Sequence, residues 1–71
     1  PNPTQGNLSI TMATPMRELI VRNMAGIEVR RVLANGAIRS DLDLTNLADG
    51  SYFVEVQLAN GSVHYRKVVK H

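Results

Sequence analysis

The sequence holds no cysteine and no tryptophan. Neither a disulfide framework nor a thiolate metal site is therefore open to it. That absence does not fix the compartment, because an exported protein can do without disulfides. Aromatics are scarce, with one Phe and two Tyr. No apolar run exceeds three residues, as at Leu19 to Val21, far below the roughly 20 that a membrane-spanning helix needs. No secretory signal peptide is visible at the N-terminus. A large excess of one charge is also missing: eight Lys and Arg against six Asp and Glu leave +2. Nucleic-acid binders usually carry a denser basic patch, so no nucleic-acid partner is expected. The 71 residues have room for one domain, 1–71, burying about 60% of its unfolded surface. The chain begins at Pro1 with no Met, so the expectation is a piece of a longer protein with a passenger upstream.

What is present is a period of two, the signature of strands. "NLSITM" sets Leu8, Ile10 and Met12 on one face. Pro15 interrupts, since it has no N–H for a ladder. "ELIVRN" gives a second strand with Leu19 and Val21 inward, and Gly26 follows in a turn. Asn35-Gly36 is a strong hairpin signal, because a type I′ turn needs positive φ at both central residues. It predicts Leu33 opposite Ile38, Arg31 opposite Ser40 and Val29 opposite Leu42. On the other face Arg30 would meet Asp41, a pair worth roughly 0.2–1 kcal/mol, and Glu28 would approach Asp43, which predicts fraying at that end. "NLADGSY" reads as a turn anchored by Leu47. In "SYFVEVQLA" Tyr52, Val54, Val56 and Leu58 share a face. A second hairpin at Asn60-Gly61 predicts Leu58 with Val63, Val56 with Tyr65 and Tyr52 with Val69, and on the outer face Glu55 with Arg66 and Phe53 with Val68. Six strands, no convincing helix and one-sided apolar stripes point to a small antiparallel β-sandwich.

Catalytic and metal signals are weak. His64 and His71 have no Asp, Glu or Cys at ligand spacing, and His64 reads as an exposed strand residue. No serine sits in a G-x-S-x-G elbow, and so short a chain does not easily form a cleft. Asp41, Asp43 and Asp49 lack the EF-hand spacing and read as solvated strand and turn residues. Asn7 and Asn60 open short N-glycosylation patterns. Phe53 and Val68 form a candidate docking patch on the outer face of the last hairpin. Arg66, Lys67 and Lys70 make the last strand basic, and lysine on an edge deters edge-to-edge pairing.

The motifs, taken in order, resemble those of the C-terminal sorting domain of the Por, or type IX, secretion system. "PNPTQG" is similar to the family's P-N-P-x-x-G opening. Val21, Asn23, Gly26 and Val29 match its strand and glycine turn. Asp43, Leu44, Leu47, Gly50, Tyr52, Val54 and Val56 match its D-L-x-x-L-x-x-G-x-Y-x-V-x-V segment. Lys67, Val68, Val69 and Lys70 match its basic-apolar end. The family often has an aromatic where this chain has Arg22, a departure that bears on the packing of that strand edge.

The resemblance implies an Ig-like β-sandwich of six to seven strands. It also implies a secretion signal that directs its cargo from the periplasm through the type IX translocon, with shuttle proteins at the outer membrane. A sortase-like cysteine peptidase would then remove the domain, and the cargo would be secreted or fixed at the cell surface. No catalysis and no cofactor are expected of the domain itself. Recognition is expected at Lys67, Val68, Val69 and Lys70. Pro3, Gly6, Gly26, Gly50 and Tyr52 are expected to shape the fold, with the Pro1 and Pro3 region stiffening the boundary with a linker. An edge strand near the C-terminus would also allow strand addition to a receptor or pairing into a homodimer. The competing reading is an Ig-like adhesion or carbohydrate-binding module. It needs an exposed aromatic platform, for which only Tyr52, Phe53 and Tyr65 are available, two of them expected to be buried.

Overall fold

The structure, a computed structural model, describes residues 6–71. These residues contain β1 (Asn7–Thr11), β2 (Met16–Asn23), β3 (Glu28–Leu33), β4 (Arg39–Asp43), β5 (Gly50–Leu58) and β6 (Val63–Lys70). All pairings are antiparallel. One sheet has the order β3-β2-β5-β6 and the other is β1-β4. No helix occurs among the described residues. This is the small antiparallel sandwich that the alternating stripes predicted, consistent with the Ig-like form that the resemblance implied. Leu8 and Ile10 from β1 and Leu42 and Leu44 from the other side of the small sheet meet Leu19, Val21, Tyr52, Val54 and Val56 of the large one. Each of these side chains is almost wholly removed from water, which for a Val or Leu contributes about 1.5–3 kcal/mol.

The Asn35-Gly36 turn forms, but the hairpin predicted around it does not. Asn35 has φ 52° and Gly36 φ 89°, and Ala37 N–H donates to Ala34 C=O at 3.0 Å. Both positive angles are those a type I′ turn requires. Yet β3 pairs with β2, and β4 leaves for β1. Met12 N–H to Ile38 C=O, Met16 N–H to Ala37 C=O and Gly36 N–H to Met16 C=O, each 2.8 Å, carry the pairing around the corner. The segments 7–23 and 28–43 are thus the two sides of one bent ribbon, folded so that its β1-β4 half covers its β2-β3 half and β5. A β3-β4 hairpin would have put both stripes in one sheet with nothing over them. Leu33 and Ile38, predicted to lie opposite each other across that hairpin, sit at the end of β3 and just before β4, and are exposed. The Arg30–Asp41 pair does not form: Asp41 accepts from Ser9 Oγ at 2.6 Å instead. Glu28 and Asp43 are likewise not set opposite each other, since β3 and β4 lie in different sheets; Glu28 binds Arg31 at 2.7 Å.

The second hairpin closes, with its register moved by one residue. Leu58 N–H donates to Ser62 C=O at 2.9 Å and Gly61 N–H to Leu58 C=O at 3.0 Å. Gly61 has φ 90°, whereas Asn60 does not reach positive φ. The connection is therefore a three-residue loop with glycine in the left-handed position, not a two-residue type I′ turn. The β2-β3 turn repeats it: Asn23 N–H to Ile27 C=O at 3.0 Å, Gly26 N–H to Asn23 C=O at 2.9 Å, and Gly26 at φ 84°. One added residue reverses every side chain of β6. Tyr52 now faces Val68, Phe53 faces Lys67 and Glu55 faces Tyr65. Val68, predicted outward, is 3% exposed, and Tyr65, predicted inward, is 65% exposed.

The register has a direct test in thermal unfolding. Val68→Ala is expected to cost about 2 kcal/mol, and Val69→Ala, on the opposite face, less than about 0.5 kcal/mol. The reverse order would show that the two-residue register is the true one.

Candidate recognition surface

The segment from Asp43 to Tyr52 builds the base of the last hairpin. Asp43 Oδ1 accepts from Thr45 N–H at 3.0 Å and from the Thr45 hydroxyl, which starts the turn. Leu44 then drops into the core with no exposure, while Leu47, expected to be the only anchor of this loop, is half-buried against it. Gly50 opens β5 opposite Lys70. Tyr52 is buried, and its hydroxyl donates to Ala48 C=O, pinning the loop to the strand that follows. The same device, a tyrosine bonding back to backbone a few residues upstream, marks Ig-type corners. Lys70, 9% exposed, reaches Asp49 at 3.2 Å and closes the loop from the other side. Gly6 C=O accepts from Leu44 N–H at 2.6 Å, and a Cβ at Gly6 would run into the Thr45 side chain. Pro3 lies outside the described residues.

The four residues expected to be recognised divide between two faces. Val68 and Lys70 point inward and are buried; Lys67 is exposed and Val69 half-buried on the outer face. The Phe53–Val68 docking patch therefore does not exist. Tyr65 takes that place instead, with Phe53, Arg22, Asn23, Met24 and Gly26 around an open groove of about 360 Å³. Sequence reasoning missed Tyr65 because the assumed turn type put it on the wrong face. His64 and Arg66 occupy inward positions on β6 but remain exposed, since the two-stranded sheet does not extend over that part of the edge. His71 is exposed as well.

Beside the groove the outer face is laced by charge. Arg31 binds Glu28 at 2.7 Å and Glu18 at 3.0 Å, and Arg22 binds Glu55 at 3.3 Å and Gly26 C=O at 3.3 Å. Arg22, the departure from the family pattern, thus ties β2 to β5 and to the glycine turn. Glu55 also accepts from the Gln57 amide at 2.7 Å. That amide first, and Arg22 after it, hold the Glu55 carboxyl below its usual range against the opposing effect of burial. Arg31 lowers Glu28 in the same way. On the small sheet the Ser9 hydroxyl, then Arg39, lower Asp41, and the Thr45 hydroxyl and N–H lower Asp43. No group of three His, Cys, Asp or Glu among the described residues could hold a metal. Asn7 and Asn60 are exposed, and Asn60 Oδ1 accepts from Ser62 N–H at 2.9 Å.

The last hairpin thus presents an aromatic ring and basic side chains at one edge of a sandwich most of whose other charged groups are engaged in turns and ion pairs. The role comes from the family comparison: residues 1–71 match the secretion system C-terminal sorting domain. The chain belongs to that family, and it is a type IX secretion sorting signal. Such a signal implies interaction with the secretion system and export to the medium or the cell surface. Domains of this family are not catalytic. Comparisons with curated proteins and with solved structures returned no match. No helix among the described residues is long and apolar enough to cross a membrane.

Two outcomes follow from these contacts. Glu28, Asp41, Asp43 and Glu55 all have lowered folded values. Each therefore stabilises the fold when ionised, above about pH 4, and that contribution is lost as pH falls through the lowered values. The melting midpoint is expected to drop below about pH 4, and to drop less in Asp43→Asn. A midpoint unchanged down to about pH 2 would contradict this. Tyr52→Phe removes the hydroxyl that reaches Ala48 and is expected to cost about 1 kcal/mol in denaturant unfolding; no change in the midpoint would mean that water replaces that bond without loss.

Proposed function

We propose that the last hairpin is the part of the signal that is read. In this reading the cargo reaches the periplasm, and the outer-membrane translocon with its shuttle proteins binds the outer face of β5 and β6. A sortase-like cysteine peptidase then cuts upstream of Pro1, releasing the cargo for secretion or surface attachment. The observation that supports it is the division of labour within β6. Val68 and Lys70 are committed to the fold, and Tyr65 and Lys67 are presented to solvent on one face. Of the four residues expected to be recognised, Lys67 and Val69 are then the contacts, and Val68 and Lys70 hold them in place.

The test attaches this chain to a periplasmic reporter in a host with a type IX system. Deleting 67–71 would remove core residues as well as surface ones, so the informative variant is Lys67→Glu. The intact fusion is expected at the cell surface and the Lys67→Glu fusion, still folded by protease resistance, in the periplasm. Surface delivery unaffected by Lys67→Glu would remove Lys67 from the contact. Retention of both fusions would leave only a shared fold.

The carbohydrate-binding reading gains one observation, the exposed Tyr65 ring beside Phe53. Reproducible binding on a glycan array, lost in Tyr65→Ala, would favour it over a purely sorting role.

A further inference from the structure

We infer that the outer edge of β6 at Val63 and Tyr65 accepts a short acidic β-strand from a partner protein. The inference rests on the hairpin being the recognised element and gives that partner its chemistry. Sheet order places β6 at the end of the four-stranded sheet. The Leu58 N–H to Ser62 C=O bond sets the phase of the ladder. In an antiparallel pair, bonded and non-bonded residues alternate, so His64 and Arg66 exchange bonds with β5. Val63 and Tyr65 then turn their N–H and C=O groups away from the sheet, and no strand among the described residues lies beside them.

Charge selects the occupant. β6 carries His64, Arg66, Lys67 and Lys70 and no acid. Asp49 meets the charge of Lys70, whereas Arg66 has no ion pair among the described residues. A second copy joined edge to edge would set these cations against each other, which disfavours self-pairing. A strand bearing Glu or Asp would be attracted by the same groups. The opposite edge, β3, is less uniformly basic: it carries Glu28 beside Arg30 and Arg31, and Arg31 is bound to Glu18 and Glu28. The exposed Tyr65 ring gives an apolar residue of the added strand something to pack on. Backbone bonds would supply affinity and this contact, with the charges, specificity.

The probe is a short peptide alternating glutamate with valine around one central phenylalanine, set against its lysine counterpart, with binding to the full chain followed by fluorescence anisotropy. The acidic peptide is expected to bind at least about tenfold tighter than the basic one, and Arg66→Glu to weaken it about tenfold. Binding should slow hydrogen exchange at the Tyr65 amide. Tyr65→Pro, which removes an outward N–H and no bond to β5, should abolish binding while the far-ultraviolet spectrum is kept. If that variant does not fold, the exchange measurement on the unaltered chain decides. Equal affinity for both peptides, or Tyr65 exchange unchanged by bound peptide, overturns the inference. So does self-association of the chain at the concentrations used. Failure here with Lys67-dependent export intact would remove the acidic strand alone. Binding here with fusions retained in the periplasm would remove the export reading of the hairpin alone.

Discussion

The fold depends on one bend. Between residues 12 and 16 on one side and 34 and 38 on the other, a two-stranded ribbon turns from one sheet into the other without losing its backbone pairing. Each half of the ribbon is apolar on one side only, and the bend brings those sides face to face. Leu8, Ile10 and Leu42 are thereby closed over Leu19 and Val21, and β5 enters beside β2 to complete the layer. Without the bend there would be one curled sheet with a wet apolar face. A chain of this size has no second core to compensate for that loss.

The hairpin turns decide what the outside looks like. Two of them, at Gly26 and Gly61, use the same three-residue loop with glycine left-handed. At Gly61 this choice moves Val68 into the core and Tyr65 out of it. The surface offered by β6 is thus a consequence of turn geometry several residues away. The same strand divides its C-terminal residues between two faces: Val68 and Lys70 pack inward, Lys70 reaching Asp49, while Tyr65 and Lys67 face solvent.

The D-L-x-x-L-x-x-G-x-Y segment has a physical reading in these contacts. Asp43 organises the turn, Leu44 and Leu47 attach it to the core, and Tyr52 returns a hydrogen bond to Ala48. Lys70 reaches the same loop through Asp49. The family pattern of the final strand therefore includes a residue whose contact lies in the preceding loop, and part of what looks like a recognition motif in sequence is packing.

Much of this was written in the order of residues. The period of two in β1, β2 and β5 depends only on the pleat, so Leu8, Ile10, Leu19, Val21, Tyr52, Val54, Val56 and Leu58 could be placed inward from sequence, and they are buried. The turns at Asn35-Gly36 and Asn60-Gly61 were legible for the same reason, since backbone angles are local. Which strand lies beside which is not local. The partner of β3 was settled by the burial of stripes far apart in the chain, and the face of Tyr65 by a one-residue difference in loop length that Asn-Gly permits in either form. Local conformational preference therefore determined the strands, their inner faces and the turns, while the pairing across the bend and the surface of the last hairpin were decided by tertiary packing, because only the folded chain brings those competing apolar faces together.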